Sequence, residues 1–225
     1  MKNLVYLLFV VSVMFSCKPR TNAEKVEAGD AKKTAEAIGS EYTLVTEAST
    51  LRWRGSKPGG EHYGTVDITE GRISLKGDLI TSGDFTIDLN TIISEDLTNP
   101  GMNAKLVGHL KSEDFFYITE YPVARFEIVN VAKLQGSSQG EPGKVSPTHE
   151  VTGNLTMRGT TKSITFPAKI EINDGRVKAN TNPFAIYRTQ WGVNYNSKSV
   201  FAELTDNFID DSMILSLEVE FKKRQ

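Results

Sequence analysis

The stretch Ile164-Thr165-Phe166-Pro167-Ala168-Lys169-Ile170-Glu171-Ile172 decides the fold class. Ile164, Phe166, Ala168, Ile170 and Ile172 fall on every second residue, and Thr165, Lys169 and Glu171 are among those that fill the gaps. Successive strand side chains point to opposite faces, so this period of two means one buried and one wet face. Pro167 has no N–H for a ladder, which puts the strand at an edge or gives it a bulge there. Upstream, Val151, Leu155 and Met157 form a strand that reaches Ile164 through Arg158-Gly159-Thr160. Downstream, Asn173-Asp174-Gly175 turns the chain into Val177 and Ala179; both are tight-turn sequences. Farther out, Met213, Leu215, Leu217, Val219 and Phe221 alternate with Ile214, Ser216, Glu218, Glu220 and Lys222, and Phe85, Ile87 and Leu89, and Phe126 with Ile128, form further strands. Val66 and Ile68 lead through Glu70-Gly71 into Ile73 and Leu75, which reads as a hairpin. Many short strands with tight turns predict a sandwich or an up-and-down barrel.

One helix interrupts the strands. Asn99 is a suitable N-cap, Pro100 fits the first helical position, and Met102, Leu106 and Leu110 share one face, which predicts a short helix from about Pro100 to Lys111. The segment Gln135–Pro147 is rich in Gly, Ser and Pro and predicts a mobile surface loop.

The N-terminus predicts the compartment. Lys2 precedes an apolar run from Leu4 to Phe15, followed by Ser16-Cys17. A membrane-spanning helix needs about 20 apolar residues, so the run fits a signal peptide better. Cys17 is the only cysteine. It has no disulfide partner within the chain, and lipidation after cleavage gives it a use. The expected organisation is a lipoprotein signal peptide over 1–17, a flexible tether over 18–40 and one domain over 41–225. The tether has no aromatic residue and too little apolar surface to fold alone. A lipid anchor makes the membrane a partner and the cell envelope, facing the periplasm, the expected location.

The formal net charge is −2, with no basic face carrying interleaved aromatics, so nucleic acid is not an expected partner. His62, His109 and His149 show no metal-ligand spacing, and no metal site is expected. There is no nucleophile elbow, P-loop or dinucleotide fingerprint, so neither a cofactor nor an enzyme is expected.

Specific residues resemble a family. His109-Leu110-Lys111-Ser112-Glu113-Asp114-Phe115-Phe116, followed by Tyr121-Pro122-Val123-Ala124-Arg125-Phe126, resembles a signature of YceI-like proteins. Gly153-Asn154-Leu155-Thr156-Met157-Arg158-Gly159-Thr160-Thr161-Lys162 is similar to that family's hairpin. Trp53 with His62 and Gly64, and Phe85-Thr86-Ile87-Asp88, resemble its opening strands. The likeness runs in order from about residue 42 to 222. It implies an all-β, extended antiparallel, lipocalin-like β-barrel of about eight strands with one short helix. It also implies a long apolar ligand, a polyisoprenoid or fatty-acyl chain, and possible homodimers.

A barrel of about eight strands either fills with its own side chains or holds one slim ligand. The alternating faces nominate Phe85, Ile87, Leu89, Phe126, Ile128, Phe166, Ala168, Ile170, Leu215 and Leu217 as the lining. Phe184, Tyr187, Arg188 and Trp191 suit a cavity rim, since rings with polar tips sit well between dry and wet. A packed core and a plugging loop are the bland alternatives. An enzyme acting on the lipid would need a polar pair in the cavity, with His62, His109 and Asp88 the first candidates. A structural or partner-binding protein would have a filled core.

Overall fold

The computed structural model describes residues 23–136 and 143–225. The expected signal segment with Cys17 lies outside the described residues, as do 18–22 and, within the Gln135–Pro147 loop, 137–142.

In chain order the strands are β1 (Glu24–Lys25), β2 (Gly29–Asp30), β3 (Ser40–Leu44), β4 (Thr50–Lys57), β5 (Gly60–Lys76) and β6 (Leu79–Ser94). Helix α1 (Pro100–Lys111) follows, then β7 (Val123–Lys133), β8 (His149–Met157), β9 (Thr160–Asn173), β10 (Arg176–Asn180), β11 (Phe184–Tyr187) and β12 (Ser212–Lys223). Antiparallel pairing runs from β4 through β5, β6, β7, β8, β9 and β10 to β12. Strand β12 then pairs back onto β4, setting Leu215 opposite Trp53 and Leu217 opposite Leu51. The result is the closed eight-strand barrel the sequence predicts, in which each ring strand has a partner on both sides over at least part of its length.

The turns that set the register are the predicted ones. Arg158 and Gly159, and again Asp174 and Gly175, all have positive φ, as a two-residue turn of type I′ requires. Ala168 directs its carbonyl at β8, accepting from the Thr148 N–H at 3.0 Å. Pro167 therefore faces the opposite side, where β10 pairs with residues 169–173 of β9 and has already ended.

Helix α1 has the expected bounds, and the Asn99 side chain accepts from the Met102 N–H at 3.0 Å. Its buried face is narrower than expected: Leu110 is buried and Leu106 partly so, but Met102 is 60% exposed. The helix is tied to β6 at both ends: Asn103 in its first turn donates to the Ser94 carbonyl at 2.9 Å, and Lys111 donates to the Asn90 carbonyl at 2.6 Å.

Two further expectations need correction. Glu70-Gly71 is no hairpin turn but part of one long strand, β5, with a register shift between Ile68 and Glu70. Gly71 sits in a close approach: a Cβ there would lie 3.2 Å from both Leu44 and Phe85, which would have to give by a few tenths of an ångström. The second correction concerns the expected tether.

Residues 23–40 wrap around the outside of the barrel. β1 pairs in parallel with β11, β2 pairs with β9, and Val26 is buried. The Lys32 N–H donates to Asn154 Oδ1 of β8, and Asn154 Nδ2 donates back to the Lys32 carbonyl. The Ala35 N–H reaches the Ile128 carbonyl beside a bulge in β7. Thr81, at a register shift in β6, bonds both backbone groups of Ile38. Backbone hydrogen bonds fasten this girdle, whereas a reading based on apolar burial sees nothing to hold it.

Candidate functional site

The inward faces of the ring strands enclose a cavity of about 110 Å³ walled by apolar side chains alone. Of the ten residues predicted to line it, Phe85, Ile87, Phe126, Ile128, Phe166, Ala168, Ile170, Leu215 and Leu217 do so. Rings cross this space in a chain. Phe221 meets Phe85 at 5.6 Å, Phe85 meets Phe126 at 6.1 Å and Phe126 meets Phe166 at 5.7 Å. Phe166 stacks on Phe184 at 4.7 Å with the planes 3° apart. Gly153 makes this possible, because a Cβ there would lie 2.1 Å from the Phe126 ring.

Leu89, the tenth residue, lines a second cavity of about 100 Å³ with Trp53, Leu110, Phe115 and Phe116. The two cavities share Leu51, Ile87, Leu155 and Leu215, so they adjoin end to end along the barrel. Sequence reasoning missed Leu110, Phe115 and Phe116 as lining. All three belong to the His109–Phe116 signature, where the last turn of α1 and the chain after it fold into the barrel mouth.

The predicted rim is a plug. Trp191 is fully buried and donates its indole N–H to the Leu155 carbonyl at 2.9 Å. Phe184 is buried in the first cavity wall, and Tyr187 alone of the four stays half-buried. Arg188 lies in a short 3₁₀ turn, Arg188–Trp191, and is itself buried. Its guanidinium donates to the carbonyls of Val193 at 2.7 Å, Ile209 at 2.9 Å and Asp210 at 3.1 Å. It stacks over Phe115, with 5.8 Å to the ring centroid, and not on Trp191. Burial lowers its pKa from the ordinary value, and Asp211 and then Asp210 oppose that shift. A guanidinium stays charged through such shifts. One end of the apolar interior therefore meets a fixed guanidinium, which also faces Asp211 at 3.5 Å.

The groups proposed for acid–base work lie elsewhere. His62 Nδ1 is 2.7 Å from Asp96 Oδ2, and His109 Nε2 is 3.0 Å from Asp114 Oδ2. Asp88 accepts from the backbone and side chain of Asn90. None of the three lines either cavity, so the polar pair sought inside the barrel is not made from them. The His109 ring instead packs edge-on against Phe115 at 5.0 Å and Tyr195 at 4.6 Å.

A closed antiparallel barrel with an apolar interior and a polar plug at one end defines a small internal-cavity β-barrel. Residues 42–221 match the YceI-like domain, and the chain belongs to that family. It is 29% identical over 136 residues to a UPF0312 protein of Pseudomonas putida, covering 59% of this chain and 63% of that protein. The match thus spans less than two thirds of the relative's length. Among solved structures, it resembles a polyisoprenoid binding domain from Saccharophagus degradans implicated in plant cell wall breakdown. The TM-score is 0.55 and the identity 16%, over 81% of this chain and 98% of that one. It also resembles BcnA of Burkholderia cenocepacia, with TM-score 0.54 and 16% identity over 76% and 95% of the two chains. At these identities the likeness to solved structures is one of fold.

Proposed function

We propose that the barrel binds a long apolar lipid, a polyisoprenoid or fatty-acyl chain, along its interior. In this reading the chain is an envelope lipoprotein anchored through Cys17, facing the periplasm, that sequesters or transports that lipid. The observation that carries it is the pair of adjoining cavities, the first walled entirely by apolar side chains. Burying an apolar chain there gains roughly 25 cal/mol per Å² of apolar area, so affinity comes from length and fit. The polyisoprenoid-binding domain of the same fold supports the class of ligand. The chain of touching phenylalanines favours a second reading, a filled barrel with a structural or partner-binding role.

Native mass spectrometry separates the two. The carrier reading expects an added mass that leaves with organic solvent, and expects Ala168→Trp, which fills the first cavity, to lower lipid loading at least tenfold. A clean apo mass after incubation with polyprenols and fatty acids would establish the filled barrel.

A further inference from the structure

The barrel wall is breached between β9 and β11. Strand β10 covers residues 169–173 of β9. After Thr181–Pro183 the chain resumes as β11, which pairs with β12 but not with β9. The first half of β9 and the whole of β11 therefore border a gap. Residues 24–30 occupy it: Glu24 and Lys25 lie against Phe184 and Ala185 of β11, and Gly29 and Asp30 against Ser163 and Lys162 of β9.

Part of the first cavity lies behind this gap. Phe166 of β9 and Phe184 of β11 line it and stack on each other across the breach. The piece that fills the breach is lightly held. Val26 is its one buried side chain, its N–H donates to the Ala185 carbonyl at 2.8 Å, and Asp30 meets Lys162 at 3.6 Å with Asp30 fully exposed. Its neighbours Glu24, Lys25, Glu27, Gly29 and Asp30 are exposed. A firmer hold follows at Lys32, which Asn154 clasps through both backbone groups. The whole segment precedes residue 42, where the match to the family domain begins.

We propose that residues 24–30 are a displaceable strap over a lateral portal between β9 and β11, hinged at the Lys32–Asn154 clasp. With the strap lifted, the Phe166–Phe184 stack is the inner leaf of the portal, and an elongated apolar chain slides sideways into the cavity. A side entrance suits such a ligand. The Arg188 plug closes one end of the barrel with a buried guanidinium held by three carbonyls and facing Asp211 at 3.5 Å, whereas lifting the strap uncovers one buried side chain, Val26, and returns two short backbone pairings to water. The inference rests on the lipid-binding reading.

The test locks the strap. Lys25 and Ala185 are register partners, and Lys25 reaches over Tyr187, two residues along β11, so the two share one face, with Ala185 buried beneath it. In the full chain with Cys17→Ser, Lys25→Cys and Ala185→Cys place a reducible bond across this pair. Uptake of parinaric acid, followed by its fluorescence, is expected to be at least tenfold slower in the oxidised than in the reduced protein. Val26→Glu, which unseats the strap, is expected to speed both uptake and release at least tenfold. Equal rates in the oxidised and reduced states, with the probe bound in both, would overturn the portal and leave the carrier standing. No binding in either state, or by the unsubstituted chain, would overturn the carrier reading and the portal with it.

Discussion

The ring wall and the girdle that crosses it are fastened in different ways. The wall carries long ladders and an inner face of large apolar side chains, with Phe221 only 2% exposed and Ile164 3% exposed. The girdle over 23–40 has one buried apolar side chain, Val26, and spends its backbone N–H and carbonyl groups on β11, β9, β8, β7 and β6 in turn. It crosses β7 and β6 where register shifts leave groups free to bond outward. The wall is a cooperative unit, and the girdle is a set of separable stitches. Local openings with their own free energies are the expected behaviour of such stitches.

The largest effect should come from the wall. Phe221→Ala removes a ring that packs edge-on against Phe85 and lines the first cavity. Truncating a buried Phe costs about 3–5 kcal/mol. Urea unfolding should show the whole barrel weakening in one transition, and exchange protection should fall throughout the ring strands. A loss confined to β12 and its neighbours would show that the wall is also a set of stitches.

The girdle should respond locally. Asn154→Ala removes both hydrogen bonds to Lys32. Lys32 is exposed, so water replaces the lost partner. The expected global cost is about 0.5–1.5 kcal/mol, the net worth of a typical hydrogen bond. Hydrogen exchange at Lys32 and Ala35 should accelerate well before any change in Ile164 or Ile170. Equal acceleration everywhere would join the girdle to the wall's cooperative unit.

The same contrast explains what could be read from the sequence. Alternation reports side-chain burial, so β9 and β12, nine of the residues that line the first cavity and the turns at Arg158-Gly159 and Asp174-Gly175 were legible. The helix bounds were legible from Asn99 and Pro100 because capping is local chemistry. The girdle was not, because a backbone hydrogen bond leaves no mark on residue type, and Lys, Glu and Ala serve as well there as in a free spacer. Gly71 misled because glycine marks both turns and close approaches, and only the neighbours Leu44 and Phe85 decide which. The plug misled because Tyr, Trp and Arg suit a wet rim equally well. The Val193 carbonyl close by in the chain, with those of Ile209 and Asp210 from farther along it and the Asp211 carboxylate at 3.5 Å, makes burial of Arg188 tolerable.

The smallest effect concerns a third kind of fastening, a charge at the barrel end. Asp96 is partly removed from water, which pushes its pKa up. Hydrogen bonds with His62, the Tyr63 N–H and Ser94, with the charge of His62, more than offset this and leave it below the ordinary carboxylate value. A carboxyl whose folded pKa is depressed contributes stability above its unfolded value of about 3.9 and loses it as pH falls through the folded value. Asp96→Asn should therefore cost less than about 1 kcal/mol at neutral pH, since an amide oxygen still accepts from Tyr63 and Ser94. It should also flatten the decline of stability with acid below about pH 4. The check is a urea midpoint series from neutral to acid pH for both proteins. Parallel curves would mean that the His62–Asp96 contact adds nothing beyond its geometry, and that hydrogen bonding and burial alone account for both wall and girdle.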